Sequence, residues 1–211
     1  MSDAVSAGYA RFDVVVMACS LGGPHAVVEV LQALPASFPA AVAVVQHLSR
    51  SVGDILPRPF QREMPLPVEW GHTGELLRPG HVYLAPSDRH MLVTSDGCIQ
   101  LTRSVPVGHC RPAADPLFAS GAAAYHHRTL GVVLSGCCCD GAIGVQAIKW
   151  SGGMTIAQDQ ASSMAFGMPR AAIATGCVDL VLPLRAIGPA VVGMVMSPGL
   201  ADFLGVPLQV A

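Results

Sequence analysis

The chain is 211 residues long and 52% hydrophobic, enough for one ordinary domain with a sizeable core, and this excludes disorder over most of its length. Twelve Lys and Arg against fourteen Asp and Glu leave a net charge of -2, with 12% of residues charged, so there is no basic field to hold nucleic acid. Every apolar run is broken by Gly, Pro, His or Asp before the roughly 18 residues a membrane helix needs, so membrane insertion is not expected. Met1-Ser2-Asp3-Ala4 places no basic segment ahead of an apolar stretch, which reads as no secretory signal and a cytoplasmic protein. Seven cysteines, three of them consecutive at Cys137, Cys138 and Cys139, do not make a disulfide framework, and reduced thiols are expected.

Residues 1–10 read as a flexible amino end, 11–198 as one domain and 199–211 as a tail. The β-branched run from Phe12 to Ala18 predicts a first buried strand that ends in a glycine-rich turn. His25 to Leu34 has apolar residues at helical spacing, with Pro24 near its first turn. Ala40 to Gln46 is apolar throughout, as in a parallel strand covered on both faces. Arg78-Pro79-Gly80 and Ser95-Asp96-Gly97 bracket two short β-rich stretches, His81–Ala85 and His90–Thr94, which predict an antiparallel hairpin. A helix over Asp115–His126, a strand over Thr129–Ser135 and a helix over Ala142–Trp150 resume the alternation. A strand at Met154–Gln158, a short helix at Pro169–Thr175, a strand at Val178–Leu182 and a helix at Ile187–Met196 complete it. The series predicts an α/β fold: a single doubly wound, mostly parallel sheet with helices on both faces and an antiparallel hairpin.

In such sheets ligands gather at the carboxyl ends of the strands, near the point where strand order reverses. Ala18-Cys19-Ser20-Leu21-Gly22 follows the first strand as small-x-Ser-x-Gly, the pattern of a serine exposed on a tight strand-to-helix turn. The following helix offers free N–H groups for an oxyanion. The same pattern also suits a turn that binds phosphate or only reverses the chain. His47 follows the second strand on the same sheet edge, in a general base's position or as a simple strand-end residue. Asp140 follows the Thr129–Ser135 strand, where it would orient an imidazole or cap the Ala142 helix. Ser, His and Asp at three strand ends together point to a nucleophile, a base and its orienter. Cys19 reads as a small buried hydrophobe beside Ser20. The dinucleotide reading fails because the turn has the wrong glycine spacing and the second strand ends in Gln46-His47.

Several segments together resemble the catalytic domain of the chemotaxis protein-glutamate methylesterase family, CheB, over about residues 12 to 196. They are Ala18–Pro24, Val45-Gln46-His47-Leu48, Tyr83–Pro86 with Asp88-Arg89-His90, Arg111–Asp115, Asp140-Gly141-Ala142, Ala157–Gln160 and Phe166–Ala172. The resemblance implies Ser20 as nucleophile, His47 as general base and acid, and Asp140 as its orienter. It implies hydrolysis of glutamate γ-methyl esters on chemoreceptor cytoplasmic domains through an acyl-enzyme, with glutamine deamidation as a further activity, and no metal or organic cofactor. Leu21 and Cys137 are the candidates for the oxyanion region, and Arg111, with His109 in the same loop, for positioning an acidic peptide.

Two departures stand out. The family usually has Met-Gly where this chain has Cys137-Cys138; if that glycine needs a positive φ, Cys138 would be strained. The family also carries an amino-terminal receiver domain, whereas about eleven residues precede the first strand here, so the expectation is the catalytic domain without its receiver. Adjacent cysteines point in different directions, so the run at 137–139 is not expected to bind metal. A catalytically degenerate binding module of the same fold and a small-ester serine hydrolase are the competing readings.

Overall fold

The computed structural model describes residues 11–47, 60 and 64–197; the expected amino end, the tail and the boundary at 198 lie outside the described residues. Seven strands form one parallel sheet: β1 (Val14–Cys19), β2 (Ala41–Gln46), β3 (Val68–Trp70), β4 (Val82–Leu84), β7 (Thr129–Val133), β8 (Met154–Gln158) and β9 (Leu180–Leu182). Their order is β3-β4-β2-β1-β7-β8-β9, and every neighbouring pair is parallel. Two further strands, β5 (His90–Val93) and β6 (Ile99–Thr102), form a separate antiparallel pair. The helices are α1 (Gly23–Gln32), α2 (Ala114–Tyr125), α3 (Ala142–Trp150), α4 (Gly167–Ala174) and α5 (Leu184–Met196).

All six residues of β1 and all six of β2 are buried, because both sheet faces are covered. Val15 and Met17 point to one layer, with Val27 and Leu31 of α1 and Ile187 and Val191 of α5. Val14, Val16 and Ala18 point to the other, with Phe118 of α2, Val145 and Ile148 of α3, Met168 of α4, and Met91 and Val93 of the antiparallel pair. The period-two alternation of β1 is thus split between two cores, which is why its sequence shows no polar face.

The hairpin lies one strand further along than the sequence suggested. The first of the two expected strands, now β4, pairs in parallel with β2 and β3 inside the main sheet, and all its residues are buried. The turn signal at Ser95-Asp96-Gly97 joins β5 to β6 instead: Gly97 takes φ 79°, and the Thr94 carbonyl accepts the Gly97 N–H at 2.9 Å. The sequence reading missed β6, and also the three-residue, half-buried strand β3, which is too short to show a period.

The chain lays down β1, moves outward on one side through β2 to β4 and β3, and then returns to β7 on the other side of β1. Strand order therefore reverses beside β1, and the crevice that follows lies at the carboxyl ends of β2, β1 and β7.

Candidate active site

Ser20 is the first residue past β1. Its N–H donates to the Ser135 carbonyl at 2.9 Å and its carbonyl accepts the Gly23 N–H at 2.9 Å, fixing the turn between the ends of β1 and β7. The left-handed residue is Gly22, at φ 77°; Ser20 itself is not among the described non-glycine residues with positive φ, so the bend is carried by the glycine and not by a strained serine. The Ser20 side chain is half-buried, and its hydroxyl makes no hydrogen bond among the described residues.

His47 continues β2, its N–H donating to the Cys19 carbonyl at 3.0 Å. Its Nε2 lies 2.7 Å from Asp140 Oδ2, with the two side chains only 10% and 3% exposed. Asp140 accepts two more hydrogen bonds at the start of α2, from the Ala114 N–H at 2.5 Å and the Asp115 N–H at 3.1 Å. The helix-capping alternative for Asp140 is corrected by the same loop. Gly141 occupies the cap position of α3, and the side chain serving that helix is Asp115, whose Oδ1 accepts from Gly141 at 3.0 Å and Gly144 at 2.7 Å. Each of the two aspartates thus satisfies the other helix's orphan N–H groups.

The electrostatics follow from this wiring. Burial works against a charged imidazole, but the Asp140 carboxylate and the neighbouring Cys138 outweigh it and raise His47 to about 9. Burial likewise opposes a charged Asp140, yet His47 and the two α2 N–H groups hold it below the usual carboxylate range. The other ring nitrogen of His47, Nδ1, faces sulfur on two sides: Cys110 Sγ at 3.6 Å and Cys138 Sγ at 3.7 Å. With Nε2–H given to Asp140, Nδ1 is the nitrogen left to act as a base.

The β7–α3 loop presses against the serine. A Cβ built on Gly136 would come 2.9 Å from Ser20 Cβ and 2.2 Å from Met168 Sδ, so only glycine fits there. One built on Gly167 would meet the Cys137 carbonyl at 2.3 Å, and the Met168 N–H donates to the Gly136 carbonyl at 2.8 Å. The start of α4 therefore clamps the backbone of Gly136-Cys137 beside Ser20. The N–H groups of Leu21 and Cys137 donate to no acceptor among the described residues, while the Leu21 carbonyl accepts from Ser135 Oγ at 2.7 Å.

Arg111 ties its own loop to the β4–β5 connection: Nε and Nη2 donate to Asp88 Oδ1 at 3.1 and 2.6 Å, and Nη1 to the carbonyls of Arg103 and Ser104 at 3.1 and 2.9 Å. The loop reaches His47 through Cys110, whereas His109 is exposed at φ 70°. His90, at the start of the second β-rich stretch, is fully buried on β5, with Nε2 3.3 Å from the Val105 carbonyl. Gln46, quoted in the motif but given no role, ties the two turns together. Its Nε2 donates to the carbonyls of Ser20 and His47, each at 3.2 Å, and its Oε1 accepts from Cys19 Sγ at 2.8 Å. Burial pushes the Cys19 thiol far up, consistent with an inert core residue and not a nucleophile.

The model of the CheB methylesterase family matches residues 15–191 of this chain. The chain belongs to the CheB methylesterase family. It is 46% identical over 185 residues to a protein-glutamate methylesterase/protein-glutamine glutaminase of Anaeromyxobacter dehalogenans, covering 88% of this chain and 54% of that protein. It is 41% identical over 179 residues to the protein-glutamate methylesterase FrzG of Myxococcus xanthus, covering 85% of this chain and 54% of that one. Among solved structures, the CheB methylesterase catalytic domain of Thermotoga maritima superposes with a TM-score of 0.82 at 32% identity, covering 87% of this chain and 99% of that domain. The chain spans about half the length of the curated relatives it matches. Within the CheB fold, the Cys137-Cys138 departure carries no backbone strain, because neither residue takes a positive φ. No helix among the described residues is long and apolar enough to cross a membrane.

Proposed function

We propose that this domain is a serine carboxylesterase that hydrolyses glutamate γ-methyl esters on the cytoplasmic domains of chemoreceptors, working in the cytoplasm. The observation that carries the proposal is the buried His47–Asp140 pair, 2.7 Å apart, at the strand ends that flank the unbonded hydroxyl of Ser20. Membership of the CheB family supports the same reading. Asp140 holds Nε2–H and so keeps Nδ1 as the basic nitrogen. As Ser20 Oγ attacks the ester carbonyl, Nδ1 takes its proton; the tetrahedral oxyanion is held by the N–H groups of Leu21 and Cys137. The imidazolium returns the proton to the departing methoxide, methanol leaves, and water repeats the cycle on the acyl-enzyme to release the glutamate side chain. The same steps with a primary amide deamidate glutamine and release ammonia.

The experiment is methanol release from methylated receptor membranes. Wild-type protein is expected to release it, and Ser20→Ala to lose at least about 10⁴-fold in rate while folding normally, since this hydroxyl bonds to nothing else. Ser20-dependent turnover of p-nitrophenyl esters without methanol release would transfer the reading to a small-ester hydrolase. A folded protein inactive on both would leave a binding module.

A further inference from the structure

The three cysteines at 137–139 are adjacent and so point in different directions. The fold assembles a different set. Cys110 arrives from the loop before α2, Cys138 from the β7–α3 loop and His47 from the end of β2, and their ligand atoms all lie within 4.8 Å of one another. We propose that His47 Nδ1, Cys110 Sγ and Cys138 Sγ form a three-ligand site for a thiophilic divalent cation, Zn²⁺ above all.

The two nitrogen–sulfur separations are those tetrahedral zinc requires, and the two sulfurs lie within 4.8 Å of each other. Zn–S of about 2.3 Å and Zn–N of about 2.05 Å set N···S edges of about 3.6 Å and an S···S edge of about 3.8 Å. The observed Nδ1···Sγ separations are 3.6 and 3.7 Å. A disulfide would instead draw the two sulfurs to about 2.05 Å, away from the nitrogen. The imidazole is already prepared as a ligand, because the Asp140 carboxylate on Nε2 fixes the ring and directs the Nδ1 lone pair toward the sulfurs. Three protein ligands leave a fourth position for water. Binding releases the two thiol protons and involves no electron transfer. Because sulfur binds as thiolate and the imidazole as the neutral ring, binding strengthens as pH rises.

The consequence for turnover rests on the proposed function: a lone pair given to zinc cannot accept the proton of Ser20, so the cation is a reversible inhibitor. The site itself stands without that reading.

The test is titration of the reduced chain with Zn²⁺ against a chromophoric chelator, with Co²⁺ as the spectroscopic probe. One Zn²⁺ per chain is expected, and Co²⁺ should show sulfur-to-metal charge transfer with intense tetrahedral bands. Cys110→Ser and Cys138→Ser should each abolish this signal, with folding followed by circular dichroism. Cys139→Ser and Cys98→Ser should keep it, and Asp140→Asn should weaken binding about 10–100-fold. Binding that survives both Cys110→Ser and Cys138→Ser, or that disappears with Cys139, overturns the site. The titration uses no substrate, so an inactive esterase leaves its result intact. In active protein, chelator-reversible inhibition should follow zinc occupancy and be absent in Cys110→Ser. Unchanged turnover with zinc bound would remove the inhibitory role alone.

Discussion

Two loops leave neighbouring parallel strands at the same sheet edge, and they are built in opposite ways. The β1–α1 turn is short, bends at Gly22 and presents a serine whose hydroxyl bonds to nothing among the described residues. The β7–α3 loop is longer, and its polar side chains are fully committed. Asp140 accepts from His47, Ala114 and Asp115, while Ser135 Oγ donates to the Leu21 carbonyl and accepts the Ala165 N–H at 2.9 Å. The difference separates two jobs. Under the proposed esterase mechanism, Ser20, which would bond to substrate, is left unpaired, and Asp140, which would hold His47 in place, is hydrogen-bonded from several sides, at low exposure, so that it would not reorganise during the reaction.

Removing the fixed member should do the most to break this contrast. Asp140→Asn retains the shape but loses the charge that raises His47, and turnover should fall by about 10²–10⁴-fold. The wild-type kcat/KM should rise with pH through about 9, where His47 loses its proton and becomes a base, and in the variant this limb should move down toward the ordinary 6.5. Stability follows the same linkage with opposite sign. Because the folded-state value is raised, the contribution of His47 is fully present below 6.5 and is lost as pH climbs through about 9. Asp140, held low, contributes above the usual carboxylate value and loses that contribution in acid. The denaturation gap between wild type and variant should therefore narrow above about pH 9, leaving what the Asp140 bonds to Ala114 and Asp115 contribute; a limb that stays put in Asp140→Asn would mean another group sets it.

Gly136→Ala sharpens the comparison by pushing one loop into the other. The new methyl meets Met168 Sδ and Ser20 Cβ, and overpacking of this kind costs about 1–3 kcal/mol. Activity should drop about 10–100-fold as the serine is displaced. Adding Met168→Ala removes one clash but not the other. Recovery of Tm without recovery of kcat would trace the loss to Ser20, and recovery of both would show the serine was never moved.

The architecture was largely legible because strands covered on both faces write themselves as unbroken apolar runs, and Met154–Gln158 and Ala142–Trp150 coincide with the observed elements. The hairpin was misplaced because His81–Ala85 and His90–Thr94 look alike as short β-rich stretches, and only long-range pairing sends the first into the parallel sheet. The proposed triad of Ser20, His47 and Asp140 was picked from their places after strands, and the structure brings His47 and Asp140 to 2.7 Å. Cys110 was not, since nothing local in Val107–Arg111 says that its sulfur will come within 3.6 Å of His47. Gly136 was hidden for a similar reason: its need for no side chain comes from Met168 and Ser20, both remote in sequence.

The smallest effect should come from Gln46, which belongs to neither loop but joins the carbonyls of Ser20 and His47 through one amide. Gln46→Leu keeps much of the volume of this 6%-exposed side chain while removing its donor, and takes from Cys19 the acceptor of its thiol. The His47 carbonyl and the Cys19 thiol then lose their partner among the described residues, while the Ser20 carbonyl keeps the Gly23 N–H. Unsatisfied groups of this kind cost about 1–3 kcal/mol each, and relaxation toward the open crevice should bring the net effect to the lower end, a Tm loss of about 2–4 °C for a chain of this size. A positioning role predicts more than this loss of stability. In the proposed mechanism Gln46, 6% exposed, sets the spacing of nucleophile and base from behind, so kcat should fall about tenfold with KM unchanged, and Gln46→Glu, which restores an acceptor for Cys19 but no donor for the carbonyls, should not rescue it. A Tm loss with kcat intact would reduce Gln46 to packing, and would mean that the strand ends of β1 and β2 hold Ser20 and His47 in register without it.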